Sequence, residues 1–184
     1  MDLWRLPKTA IIGGTEYEIR TDFRQVLQII KGFTNPDIPE WVRWHIAVAS
    51  FFVGEIPTER TREAMEFLAS FISYENVEPK PGPVLMDWDQ DAKAIIADVN
   101  KVAGKEIREL PYLHWWTFLS YFHAIGEGQL STIVSIRDKL KKGKPLDKGE
   151  KEYYRENKER VDLKQRYSAE EIAEQERLKA LLGE

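Results

Sequence analysis

Residues 110–128 read LPYLHWWTFLSYFHAIGEG, with two adjacent tryptophans behind a histidine and a second histidine further on. At ~100° per residue, a helix opening at Pro111 and closing near Gly126 to Gly128 spreads Tyr112, Trp115, Trp116, Phe118, Leu119, Phe122 and Ile125 over a broad arc. His114, Thr117 and Ser120 take the narrower remainder. A helix apolar nearly all round belongs at the centre of a core, or half in a core and half in an interface. Tryptophan suits either place, because it buries a large area and keeps one N–H for a partner. The expectation is a central helix in which Trp116 is largely buried and Trp115 at least half buried. The other reading is a partner-binding face. His114 and His123 fall on opposite sides of such a helix, and His45 lies on another helix, so the three histidines have no metal-binding spacing. No catalytic role is assigned to them.

Working outward, TAIIGGTEYEIRTDF predicts a hairpin. Tyr17 and Ile19 alternate with Glu16, Glu18 and Arg20, and Gly13-Gly14 supply the positive φ angles of a tight turn. A first helix opens at Asp22, with Gln25 at the capping-box position, and stops at Gly32. A second is expected from DIPEWVRWHIAVASFFVG, with Asp37 as its cap and Pro39 in its first turn. A third covers Thr58 to Ser73, with Met65, Leu68, Phe71 and Ile72 inward. ENVEPKPGPVLM is too rich in proline for regular structure, so 74–86 is a linker candidate. A fourth helix runs from near Asp87 to Gly104, and LSTIVSIRDKLKKG forms a sixth after the tryptophan helix. The stretch from Lys148 is charged but helical in propensity, and Ser168 with Glu171 forms a capping box. The fold class is therefore mainly α: a bundle-like helical body over 1–143, with a small N-terminal β-hairpin, and a charged helical tail over 144–184. The tail has few large apolar residues for its length, which predicts loose attachment or projection.

The chain has 184 residues, 42% of them hydrophobic and 32% charged, with a net charge of -4. That is one ordinary domain with material for a core. The absence of cysteine excludes disulfides, zinc–thiolate sites, iron–sulfur clusters and thiol catalysis. No basic segment followed by a long apolar run opens the chain, and no apolar run reaches the ~18–20 residues of a membrane span. A soluble, intracellular protein is expected, with no membrane partner.

DWDQD resembles the opening of a calcium loop, since Asp87, Asp89 and Asp91 match the first three ligand positions. Ala92 then stands where the loop requires glycine, and Asp98 replaces the final glutamate. Acids capping a helix, Asp87 with Gln90 and Asp91 in the first turn, fit better. No phosphate loop, dinucleotide fingerprint, HExxH or GxSxG is present. No enzyme activity and no cofactor are expected. Residues 137–166 hold 12 Lys and Arg against 7 Asp and Glu, whereas the rest of the chain holds 15 against 24. This polarity reads as a solvated helix with interspersed ion pairs, or as an electrostatic handle for an acidic partner or a nucleic acid. The mixed signs favour the first reading.

The run from Asp87 to Leu140 resembles the signature region of the bacteriophage Gp-fifteen family of long-tailed phages and prophages. That pattern has acids opening a helix, a short link, Leu-His-Trp-Trp, an Ile-x-x-Ile-Arg helix and a charged tail. Leu113, His114, Trp115 and Trp116 match it outright, and Asp87, Asp91, Ile95, Ile133, Ile136 and Arg137 match in type and order. Glu109 departs from it, standing where the pattern has an aspartate. The resemblance implies a tail-assembly chaperone that coats the tape measure protein until the tail tube polymerises around it. Contacts with other tail proteins and homo-oligomerisation would accompany that role. A structural tail or head-completion subunit of the virion is the alternative, and a nucleic-acid-binding module using 137–166 a more distant one.

Overall fold

The computed structural model describes residues 4–74, 82–164 and Ala173. Within them the protein is mainly α. A two-stranded antiparallel hairpin, β1 (Thr9–Ile12) and β2 (Thr15–Glu18), precedes a set of packed helices. The hairpin register pairs Thr9 with Glu18 and Ile12 with Thr15 across Gly13-Gly14, whose φ angles are 59° and 83°. Ala10 and Ile12 turn inward onto the helices, while Thr9 and Ile11 face out.

α1 (Phe23–Phe33) follows at once. Its cap is Asp22, whose Oδ1 accepts the Arg24 N–H at 3.0 Å. The cap is the expected residue, and the bond goes to the second amide of the helix. α1 runs past Gly32 and closes at Thr34. α2 (Glu40–Phe51) opens on Pro39, with no side-chain cap. Asp37 instead sits in the preceding turn, where its N–H donates to Asn35 Oδ1. The expected cap fails because the chain bends once more before the helix starts, and the fixed φ of Pro39 then sets the entry. A 3-10 turn at Thr58–Arg60 leads into α3 (Thr61–Ser73), which buries Ala64, Leu68 and Phe71 and half-buries Met65 and Ile72. α3 ends on Tyr74, a left-handed residue with φ 58°.

Of the expected linker, residues 75–81 lie outside the described residues, and 82–87 have no regular structure. α4 (Ala92–Ala103) starts one turn later than expected, after a turn at 88–91. The tryptophan helix is shorter than the sequence suggests. α5 spans Trp115–His123 only, because a 3-10 turn at Ile107–Glu109 and an extended link through Leu113 precede it. Tyr112 is therefore exposed, off the helix, and not part of the buried arc. α6 covers Gln129–Lys141, α7 Lys148–Glu156 and α8 Lys158–Val161.

The core is one aromatic-rich cluster, running from the hairpin through Phe51, Phe52, Phe71, Trp115 and Phe118 to Ile133, Ile136 and Val161. Its rings interlock: Phe23 stacks on Phe118 at 4.9 Å, and Trp88 packs against Phe122 at 5.1 Å. Such pairs add to the gain from buried area. The inclusion of Val161, fully buried, changes the picture of the tail. Residues 148–162 are docked on the body, with Leu146, Tyr153 and Tyr154 packed partly against the core. No break in packing marks the boundary expected after Gly143. The Ser168–Glu171 capping box lies outside the described residues.

Candidate functional site

Two buried nodes collect nearly all the residues singled out by the sequence. The first is built on Leu113, His114, Trp115 and Trp116. The backbone here runs antiparallel to the segment just before α1. The Trp115 N–H donates to Thr21 O at 2.7 Å, and the Phe23 N–H donates to Leu113 O at 2.9 Å. Asp22, the cap of α1, also accepts the Leu113 N–H at 3.1 Å through its second oxygen. The starts of α1 and α5 are thus stitched side by side.

His114 is the N-cap of α5 and not a member of it. Its Nδ1 accepts the Trp116 N–H at 3.1 Å, while its Nε2 lies 3.0 Å from Pro7 O. A carbonyl can only accept, so Nε2 carries the proton and Nδ1 is the bare nitrogen. The ring is 2% exposed, and burial holds its pKa below the ordinary 6.5, with Lys8 acting in the same direction. Histidine thereby does the work of an aspartate cap while pinning the chain leading into β1.

The two tryptophans divide a second task. Trp115 Nε1 donates to Ile72 O and Trp116 Nε1 donates to Phe71 O, each at 3.0 Å. These are carbonyls at the C-terminal end of α3, which the helix itself leaves without intrahelical partners. Adjacent indoles therefore close the end of a distant helix. Trp116 also stacks on Phe71 and meets Tyr74 edge-on at 5.1 Å, holding the left-handed residue in place. Leu113, Trp115, Trp116, Phe118 and Leu119 are buried, and Phe122 is half-buried. In this chain they make core.

The second node is the ion pair of Arg137 and Asp91, whose side chains are 3% and 1% exposed. The guanidinium grips both carboxylate oxygens, at 2.7 and 2.9 Å. Its remaining N–H groups donate to Val161 O at 2.6 Å, Leu85 O at 2.9 Å and Arg160 O at 2.9 Å. All five donors of the guanidinium are used. Asp91 was expected among the capping acids, but its Oδ2 takes the Asp87 N–H and the arginine instead. Asp87 is the residue that caps, accepting the Asp89 and Gln90 N–H groups, so it closes the 88–91 turn ahead of α4. Gln90 adds a lateral tie, donating to Asp162 O at 2.7 Å and accepting the Lys164 N–H at 2.9 Å.

Asp98 was weighed only as a failed calcium ligand. It is buried and accepts the Leu130 N–H at 2.8 Å, so it caps α6 from across the fold. Gly128 makes room for it, since a Cβ there would stand 2.5 Å from Asp98 Oδ2. The signal for this was present in sequence as a glycine at the start of a helix with no Ser, Thr, Asn or Asp to cap it.

His45 is exposed on α2, and His123 ends α5. Among the described residues, no group of three or more His, Cys, Asp and Glu could hold a metal ion. No helix of the described residues is long and apolar enough to cross a membrane.

A family model described as Bacteriophage Gp15 protein matches residues 5–163. The chain belongs to this family. The match takes in both nodes and extends through α7 and α8, one residue past Asp162. The Gp15 unit thus includes the charged segment up to that point, well beyond Gly143. No curated protein and no solved structure gives a significant match.

Proposed function

We propose that this Gp15-family protein is a non-enzymatic tail-assembly chaperone that holds the tape measure protein in the host cytoplasm while the phage tail is built. The family membership supplies the phage context, and the resemblance described above supports a role in the tail. The observation that carries the binding role is the outer face of α2. Trp41, Val42, His45, Ile46 and Ala49 fall within an arc of about 140° on this helix. Trp41 is 73% exposed and Ile46 50% exposed. An apolar helix face of this kind packs against an amphipathic helix through side chains at i, i+4 and i+8. The polar groups of the two buried nodes are meanwhile committed to the protein's own backbone, which favours a binding role over chemistry.

The test is co-expression with the tape measure protein of the same gene cluster, followed by pull-down. The wild type is expected to carry the tape measure protein with it, and Trp41→Ser/Ile46→Ser to lose it while keeping its melting temperature. Mass spectrometry of purified virions separates the alternative: a protein found there in stoichiometric amount is a structural subunit of the tail or head and not a chaperone.

A further inference from the structure

The polarity of charge in the sequence becomes two defined faces in the fold. On α7, Lys148, Lys151 and Arg155 stand at i, i+3 and i+7, all exposed along one side. Lys148 and Lys151 have no ion-pair partner among the described residues. Arg155 reaches Glu152 and Glu156 only at 4.0 and 3.9 Å. Of the other cations of this region, Lys139 is paired with Glu150, Lys142 with Asp138 and Lys158 with Asp162.

The second face is the outer side of the hairpin. Ile11 is 68% exposed and sits across from Glu16, while Glu18 sits across from Thr9. Val53 extends the same sheet, because its N–H donates to Glu18 O at 2.8 Å and it is 41% exposed. Glu55 follows two residues later, exposed. The nearby arginines do not neutralise these carboxylates. Arg20 is turned onto the Ser50 and Phe52 carbonyls, and Arg60 pairs with Glu63. The result is two exposed carboxylates, Glu16 and Glu18, on the middle strand, with the exposed Ile11 on one side of them and the exposed Val53 on the other.

The two faces complement each other in kind. Lysine and arginine carry apolar stems below their charged heads. Such stems cover an isoleucine or a valine, and the heads reach the glutamates beside it. Both faces are exposed in one molecule, so neither is satisfied by the other within the same chain. We infer that the α7 face of one molecule docks on the hairpin face of a second copy, head to tail. The contact is heterologous, so successive copies form an open row or a ring, and not a two-fold dimer. It does not depend on the tape-measure reading, which uses α2.

Sedimentation velocity of the full chain tests it, with two charge-reversed variants. One is Lys148→Glu/Lys151→Glu/Arg155→Glu; the other is Glu16→Lys/Glu18→Lys/Glu55→Lys. All six positions are exposed, and melting curves check that each variant folds. The wild type is expected to form larger species in low salt and to revert to monomer in high salt, as charges become screened. Each variant alone should weaken association by roughly a hundredfold or more, because like charges then meet across the contact. An equal mixture of the two variants should associate again, since each supplies the face the other lacks. Ile11→Ser, which changes no charge, should weaken wild-type assembly as well. The inference is overturned if the wild type stays monomeric in low salt, if either variant assembles as well as the wild type, or if the mixture fails to associate.

Discussion

The two buried nodes hold the protein together by different physics. The Leu-His-Trp-Trp node ties α5 to α1, to α3 and to the entry of the hairpin, and its polar bonds ride on a large buried aromatic area. The Arg137 node ties α6 to the 85–91 segment and to α8, where Val161 is the one fully buried apolar side chain. Where apolar area is plentiful, hydrogen bonds select a geometry that burial already favours. Where it is scarce, a single guanidinium sets the attachment. The first node should therefore govern global unfolding, and the second the local docking of α7 and α8.

The largest expected effect is at the aromatic node. Trp116→Ala should cost ~3–5 kcal/mol through lost area and the cavity left behind, and it also strips Phe71 O of its donor. The whole melting transition should move down as one. A melting temperature unchanged by this substitution would remove the node from the core.

Arg137→Ala should cost a comparable ~3–5 kcal/mol, since Asp91 is left buried without its partner. The character of the change should differ. Amide exchange and proteolysis are expected to rise first between Lys144 and Lys164, ahead of the α5 amides. Truncation after Gly143 should lower the melting temperature of the body, because it removes the Val161 and Arg160 carbonyls from the guanidinium. Truncation after Lys164 should be tolerated. If the first truncation melts like the second, the docking of α7 and α8 contributes nothing to the body.

Gly128 gives a smaller effect. Gly128→Ala should cost ~1–3 kcal/mol, because the new methyl presses on Asp98, the surrogate cap of α6. Gly126→Ala, where nothing lies within 4 Å, is the control and should leave stability nearly unchanged.

What the sequence revealed and what it hid divides along the same line. The hairpin, the order of helices and the burial of Trp115 and Trp116 follow from local periodicity, glycine placement and apolar patterning. The helix starts were less legible. Asp37 and Asp91 look like caps from their neighbours in sequence, yet Asp91 is taken by a residue 46 positions away. His114 looked like a member of the α5 surface and is its cap, because its ring accepts an amide two residues on while donating to Pro7. The docking of α7 and α8 was hidden for the same reason. Counting apolar residues suggested a loose tail, but up to Lys164 the segment is held by the buried Val161 and by polar bonds from Arg137 and Gln90, both outside it.

The smallest effect concerns His114 and tests whether its ring must stay neutral. Protonation would place a hydrogen on Nδ1, facing the Trp116 N–H, so the cap bond would be lost at the positive end of α5. Burial lowers the folded-state pKa below the ordinary 6.5. The unfolded chain therefore binds more protons than the folded one as pH falls through that value, and stability falls with pH. The contribution is present in full above about pH 6.5 and is lost progressively below it. Carboxylates held low by their partners act further down; Glu106, bonded to Arg108, titrates near 2. The window from about pH 7 to about pH 5 is thus where His114 should be visible. Chemical denaturation across it should give a smaller unfolding free energy at the acid end for the wild type. His114→Asn keeps a capping oxygen without a titrating ring, so it should be less stable at neutral pH yet show a flatter dependence. An identical slope in both proteins would mean that the ring accommodates a second proton, and the assigned tautomer would have to be given up.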